Sequence, residues 1–380
     1  MSILFEPVKI GRLVLKNRFV RSATYFALSD DDGYVSQAEI DLMQTLARNE
    51  IGLIVTGFAY VLKNGQGVPD MCGIQDDDHI SGYRKMTEAV HREGGLVAMQ
   101  IVHCGMNAYT MSFWHGDYMA VSVFKDMPEY RKKAREMTGE DIEAIIEAFG
   151  QAARRVEEAG FDGVQIHGAH GYLVSQFLSP YSNRRRDEWG GDLENRMRFV
   201  LEVARAIKRN VSTDFPVMIK LGMRDYFPDR RGLTVEEGGR VAQALEKEGV
   251  CLVEISSAFS ESQSMQTGIR SPEKEAYFLP QALYIRGVTS GPLCLVGGMR
   301  SLPVMEAVIR SGVADCVSLS RPLIREPDLI KRWKAGDTRP ADCISCGGCF
   351  NRIGKGRHSI HCRQLRKRME EASTYLCKLA

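Results

Sequence analysis

The stretch "DGVQIHGAH", residues 162–170, runs from a turn-forming aspartate and glycine through a short apolar core into two histidines. Its length and its Val164 and Ile166 suit a strand buried on both faces, and it is too short for a helix. Working outward in both directions, seven more stretches share this character: "NRFVRSAT" (17–24), "GLIVTGFAYV" (52–61), "LVAMQIVH" (96–103), "PVMIKLGM" (216–223), "CLVEISSAF" (251–259), "PLCLVGGM" (292–299) and "DCVSLSRP" (315–322). Amphipathic segments separate them. In 140–159, the clearest, Ile142, Ile145, Ile146, Phe149, Ala153 and Val156 keep to one helical face. "TGED" at 138 and "TVEE" at 234 are capping-box starts, while "EAG", "KEG" and "RSG" stop helices on glycine. Eight strand–helix units in one series predict an α/β fold of the (β/α)₈ TIM-barrel type rather than a doubly wound sheet, and no GxGxxG fingerprint is present. "VKIGRLVLKN" reads as an N-terminal hairpin closing the barrel bottom. Residues 104–137, rich in Met and aromatics, exceed an ordinary loop and are expected above strand 3 as a lid. The barrel is expected over 1–336, followed by a cysteine-rich, basic tail over 337–380.

Composition bounds the function. A chain of 380 residues, 44% apolar and 26% charged, can bury a full core. A net charge of +2 gives no case for nucleic acid, and no segment is long and apolar enough to cross a bilayer. "MSILFEPVKIG" lacks the basic and apolar regions of a secretory leader, so the cytoplasm is the expected location. Ten cysteines do not form a disulfide framework: Cys72, Cys104, Cys251, Cys294 and Cys316 are scattered and four crowd into 343–362. Arg352, Lys355, Arg357, Arg363, Arg366, Lys367 and Arg368 run without an acid among them, as an anion-attracting patch or a solvated helix face.

Barrel enzymes carry chemistry where strands end. His167, His170 and Tyr172 fall at the end of strand 4, where two imidazoles can donate to one carbonyl oxygen and a phenol can supply a proton. The bland alternatives are histidines satisfied by backbone, or a zinc site, for which no third ligand lies close by. Gln100 ends strand 3 with the donors and acceptor that read a heterocycle edge, or it caps a neighbouring strand. Lys220 ends strand 5 as a cation for a cofactor gaining negative charge, or as a salt bridge at the rim. "LVGGMRS" (295–301) and "SLSRPLI" (318–324) end the two phosphate-binding strands, where Gly297, Gly298, Ser320 and Arg321 could hold an anion or form plain turns.

"LFEPVKIGRLVLKNRFVRSA", "HGAHGYLVSQFLSPYSNRRRDEWGGDLENRMRF" (167–199) and the late glycines with Arg321 resemble the Old Yellow Enzyme family of FMN-dependent oxidoreductases over residues 3–336. The resemblance implies a barrel holding FMN, reduced by NAD(P)H and passing hydride to the β-carbon of an activated alkene. It implies that His167 and His170 bind the activating oxygen, with His167 also against the cofactor, and that Tyr172 protonates the α-carbon. Gln100 and Lys220 would face the pyrimidine side, Ser22, Ala23, Thr24 and Ala59 the other edges, and Gly297, Gly298, Ser320 and Arg321 the phosphate. The sequence departs from the family at Tyr25, beside Thr24, where many members carry Thr or Cys, and at Lys220, where many carry arginine.

Cys343, Cys346, Cys349 and Cys362, spaced C-x2-C-x2-C-x12-C, form a set suited to zinc or an iron–sulfur cluster. The spacing is similar to that after the barrel in the dienoyl-CoA reductase and trimethylamine dehydrogenase branch, which implies a [4Fe-4S] cluster beside the flavin; here the second gap is shorter and the last longer. Those relatives continue into nucleotide-binding domains, and their loss would leave the cluster without one electron route. The expectation is therefore an NAD(P)H:flavin oxidoreductase acting on a small enone-type substrate as a homo-oligomer, the tail holding a cluster, zinc or nothing. A flavin and iron–sulfur dehydrogenase or demethylase subunit with an electron-transfer partner is the alternative, and a zinc-bearing interaction module on a scaffold barrel is the third.

Overall fold

A computed structural model describes residues 2–108, 117–129, 131–227, 232–259, 266–350 and 359–367. Eight strands follow one another in chain order: β1 Phe19–Arg21, β2 Leu53–Tyr60, β3 Val97–Val102, β4 Gly163–Gly168, β5 Val217–Gly222, β6 Leu252–Ser256, β7 Leu293–Leu295 and β8 Cys316–Leu319. They close into a parallel barrel, with Val317 of β8 opposite Phe19 of β1. Each lies inside its expected stretch. β1 and β7 are trimmed most, each to three residues; at β7 Gly297 and Gly298 (φ 129° and 73°) turn the chain out of extended backbone.

Alternation along each strand stacks the interior in layers. At the bottom, Val20, Leu53, Ala98, Met218, Leu252, Cys294 and Cys316 pack on Ile10, Leu13 and Leu15. Those three come from an antiparallel hairpin, Val8–Ile10 with Leu13–Leu15, whose turn uses Gly11 at φ 57°. Two residues further along their strands stand Ser22, Gln100, Lys220, Glu254 and Ser318, all buried, so a polar layer lies directly above the apolar plug.

The outer helices form as expected. One spans Gly139–Glu158, its Thr138 cap paired reciprocally with Asp141, and buries Ile142, Ile145, Ile146, Phe149, Ala153 and Val156. Burial of such side chains stabilises by about 1.5–3 kcal/mol each. Thr234 and Glu237 make the second capping box. Helices end at Gly160, Gly249 and Gly312, all with positive φ.

The 104–137 segment reaches further than strand 3. Within its described part, Met106, Tyr118, Phe124 and Met127 pack with Tyr181, Phe227 and Phe259, which follow β4, β5 and β6. The tail is held to the same rim: Ala341 exchanges backbone and guanidinium hydrogen bonds with Arg300, and the Ile360 N–H donates to the Phe26 carbonyl at 2.9 Å. Arg363, Arg366 and Lys367 are exposed, whereas Arg352, Lys355, Arg357, Arg368 and Cys377 lie outside the described residues. Among the described residues no helix is long and apolar enough to cross a membrane.

Candidate active site

A cavity of about 380 Å³ opens at the C-terminal ends of the strands. This falls within the roughly 300–1,000 Å³ of small-molecule sites. Ser22, Ala23, Thr24, Gln100, His167, His170, Tyr172, Lys220, Gly298, Ser320 and Arg321 all line it, so strand ends far apart in sequence converge as expected. Two expected residues are elsewhere. Gly297 sits just outside the lining, its α-carbon facing Phe278 and Tyr277. Ala59 is fully buried in the outer core, between barrel and helices. Pairing of β2 with β3 shifts between Val55 and Phe58, and this bulge reverses the alternation, so Phe58 faces the cavity and Ala59 faces out.

His167 ends β4, opposite Lys220 of β5. Its Nδ1 accepts from the Ala169 N–H at 3.3 Å, which places the ring's proton on Nε2. His170 follows in left-handed backbone (φ 59°) beside Gly171 (φ 73°), a conformation costly for a side chain of this size. Two contacts to the next strand but one hold it there: its N–H donates to the Ser257 carbonyl at 3.0 Å, and Nε2 lies 2.9 Å from Ser256 Oγ. The His167 ring centroid is 5.1 Å from that of His170 and 4.8 Å from that of Tyr172, both edge to face. Burial, then the neighbouring His170 and Lys220, lowers the His167 pKa well below its usual value; burial, then Lys220, lowers His170 to about 3. Both rings are therefore neutral, single-proton donors at physiological pH.

Lys220 forms an ion pair of 2.7 Å, not at the rim but inside the barrel, with Glu254, its partner in register on β6. Burial alone would raise the Glu254 pKa; the Lys220 ammonium and the hydroxyls of Ser22 and Ser318 hold it down to about 2. Also on the lining, Thr24 and Ser320 hydroxyls meet at 2.8 Å and Arg321 Nη1 donates to the Ser345 carbonyl at 3.4 Å. Tyr25 lines the wall with its hydroxyl donating to the Pro69 carbonyl, and burial pushes its phenol pKa up. Ser256, Tyr277, Phe278, Ser345 and Phe350 also reach the cavity, and the sequence alone did not single them out.

Cys343, Cys346, Cys349 and Cys362 line a second cavity, of about 120 Å³, and Arg321 lines both. Arg325 Nη1 lies 3.8 Å from Cys362 Sγ. Burial raises the Cys343 and Cys349 thiol pKa values, the latter to about 11. Among the described residues no three His, Cys, Asp or Glu side chains are gathered closely enough to hold a metal ion as they stand.

A closed parallel eight-stranded barrel with histidines, a phenol, a lysine and an arginine gathered in one cavity at the C-terminal ends of its strands defines a TIM barrel with its candidate site where that fold carries chemistry. The chain belongs to the NADH:flavin oxidoreductase / NADH oxidase family, whose pattern matches residues 3–339. It is 36% identical over 351 residues to an NADH oxidase of Thermoanaerobacter brockii, covering 91% of this chain and 53% of that protein, so it spans about half that relative's length. To an NADPH dehydrogenase of Geobacillus sp. (strain WCH70) it is 35% identical over 331 residues, covering 86% of this chain and 92% of the relative. The solved structure of an old yellow enzyme homologue from Zymomonas mobilis superposes with a TM-score of 0.74 at 25% identity, covering 90% and 95% of the two chains. The Old Yellow Enzyme resemblance and the barrel are thereby supported. FMN fits the residues present: the cavity offers polar side chains on its floor, a glycine at Gly298 whose backbone lines it where a Cβ would crowd Tyr277, and a guanidinium at Arg321.

Proposed function

We propose that the chain is an FMN-dependent, NAD(P)H-driven oxidoreductase that reduces the activated C=C bond of an α,β-unsaturated carbonyl or similar electron-poor alkene. The observation that carries this reading is the His167, His170 and Tyr172 cluster sharing one cavity with Gln100, Lys220 and Arg321. Ser22, Ala23, Thr24, Gln100 and Lys220 would hold the ring system, with Gly298, Ser320 and Arg321 holding the phosphate and Phe58 taking the place expected of Ala59. When bound, FMN supplies two-electron hydride chemistry, taken from NAD(P)H and given to the alkene. His167 and His170, each neutral, present one N–H to the activating oxygen, so negative charge arriving there meets two preorganised donors. Tyr172 holds the proton that the α-carbon takes up, which balances the hydride added at the β-carbon. Free thiols at all nine described cysteines support a reducing, cytoplasmic setting, and a homo-oligomer follows the family habit.

The test is the double variant His167→Ala, His170→Ala. It should retain FMN, lose binding of phenolic ligands and reduce a cyclic enone at least 10³-fold more slowly, about what loss of such donors costs. A double variant that binds phenols and reduces enones like the parent overturns the reading.

A second reading makes the chain a flavin and iron–sulfur electron-transfer enzyme working with a partner protein. It is favoured by four thiols on one cavity that shares Arg321 with the cofactor cavity. Metal binding would displace the thiol protons and draw the cysteines together. Iron, zinc and acid-labile sulfide measured on protein purified without oxygen decide it. About four irons per chain support the cluster at Cys343, Cys346, Cys349 and Cys362, zinc supports a structural site, and FMN with neither leaves the simple ene-reductase.

A further inference from the structure

Glu254 does not line the cofactor cavity, yet it touches most of what does. It stands in the middle of β6, 1% exposed, with one carboxylate oxygen accepting from three groups: Lys220 Nζ at 2.7 Å, Ser22 Oγ at 2.6 Å and Ser318 Oγ at 2.7 Å. The other oxygen accepts from Gln165 Nε2 at 3.0 Å, and Gln165 Oε1 in turn accepts from Gln100 Nε2 at 2.7 Å. Lys220 also donates to Ser22 Oγ at 2.9 Å, which closes the network. Ser22, Gln100, Lys220 and Ser318 are four of the polar groups on the cavity floor, and each is tied to this one carboxylate directly or through Gln165.

Two buried cations feel the same carboxylate. Lys220 is its ion-pair partner, and Arg21, whose pKa burial lowers to about 9, is the other. Charges at this depth are little screened, so one carboxylate more or less changes the potential of the whole cavity. Two-electron reduction adds negative charge to a flavin. A lone ammonium beneath the cavity would favour the reduced form, whereas a paired one favours it far less.

We propose that Glu254 is the positioning residue of the cofactor site: it aims Lys220, Ser22, Ser318 and Gln100 at the cofactor and, by pairing Lys220, holds the flavin potential below the value an unpaired cation would set. The inference rests on the FMN reading above. It assigns the Glu254 carboxylate a part in cofactor electronics although it is walled off from cofactor and substrate by its own hydrogen-bond partners.

The experiment is a set of redox titrations on FMN-loaded protein: parent, Glu254→Gln, Lys220→Gln and the double variant. Glu254→Gln keeps size and hydrogen bonds but removes the charge. It should raise the midpoint potential by about 30 mV or more, a tenfold change in the two-electron equilibrium. Lys220→Gln should shift it by a similar amount in the opposite direction, and the double variant, which removes one buried charge of each sign and so keeps the parent's net charge with Arg21 in place, should return within about threefold of the parent equilibrium. Opposite signs with cancellation are what a merely structural role would not give, since loosening the pocket moves both single variants the same way. If Glu254→Gln does not fold, Lys220→Gln and the double variant carry the same test. FMN-loaded variants whose potentials stay within threefold of the parent, or shift with one sign, overturn the proposal alone. A parent protein that cannot be loaded with FMN overturns the cofactor reading and the proposal with it.

Discussion

Lowering the pH should leave the histidine pair uncharged far below the range where histidine ordinarily titrates. An imidazole of pKa 6.5 is about three-quarters protonated at pH 6, while one held at about 3 is protonated about once in a thousand molecules. Burial is the larger cause and the Lys220 ammonium the second. At about 1.4 kcal/mol per pH unit, the drop is on the order of 5 kcal/mol against charging the His170 ring. Enone reduction by pre-reduced protein, followed from pH 8 to pH 5, should therefore show no break assignable to either ring. Nitrogen-15 NMR of labelled histidine should show neutral His167 and His170 throughout. A break near pH 6.5 that disappears in His170→Asn would refute the argument. The same shift predicts acid sensitivity of the fold. Between 6.5 and about 3 the unfolded chain binds a proton at His170 that the folded chain refuses, so stability is complete above 6.5 and falls as pH drops through that window. Glu254, held at about 2 against an ordinary 4.5, acts in the same direction, its contribution lost as pH falls from 4.5 toward 2.

Two further outcomes follow from packing. Phe149→Ala empties a fully buried position on the helix face that meets the barrel; a loss of about 3–5 kcal/mol should lower the melting temperature by roughly 4–6 °C while leaving FMN content unchanged, and a shift under about 2 °C in a thermal melt would contradict it. Gly298→Ala places a Cβ 3.1 Å from the Tyr277 ring at a residue with φ 73°, so FMN affinity should fall by at least fivefold in a fluorescence titration, whereas unchanged affinity would remove Gly298 from the cofactor cradle.

The strands were legible because parallel barrel strands are buried on both faces and read as short apolar runs between helical patterns. The site was legible wherever a polar residue ended such a run: His167, Gln100 and Lys220 mark themselves. Ala59, placed beside the cofactor by the family resemblance, faces the outer core because the shift between Val55 and Phe58 exchanges the two faces, and such a bulge leaves no mark in the sequence pattern. Glu254 did carry a signal, a single carboxylate inside the apolar "CLVEISSAF". Its meaning depends on register, which sets it beside Lys220 across a sheet contact 34 residues apart. Tyr277, Ser345 and Phe350 reach the cavity from loops and the tail, whose course no periodicity encodes.

Pairing within the polar layer accounts for where the cavity opens. A layer of buried serines, glutamines, lysine and glutamate is tolerable only if its members satisfy one another, and these do so across β1, β3, β4, β5, β6 and β8. The two strands that supply no member are the irregular ones. β2 bulges and contributes the Phe58 ring, while β7 ends early and contributes Val296 and Gly298. A flat apolar ring and a backbone close enough to reach are what a planar ring system and a phosphate respectively need, and a regular strand carrying a polar side chain at either place would fill that space. Deleting Gly57, the extra residue at the bulge, would leave Phe58 two residues after Val55 and still opposite Gln100, so Phe58 should keep facing the cavity and FMN should be retained while the network around Glu254 keeps its partners. A folded deletion variant that loses FMN would show that the facing of Phe58 is not what fits β2 to the cofactor.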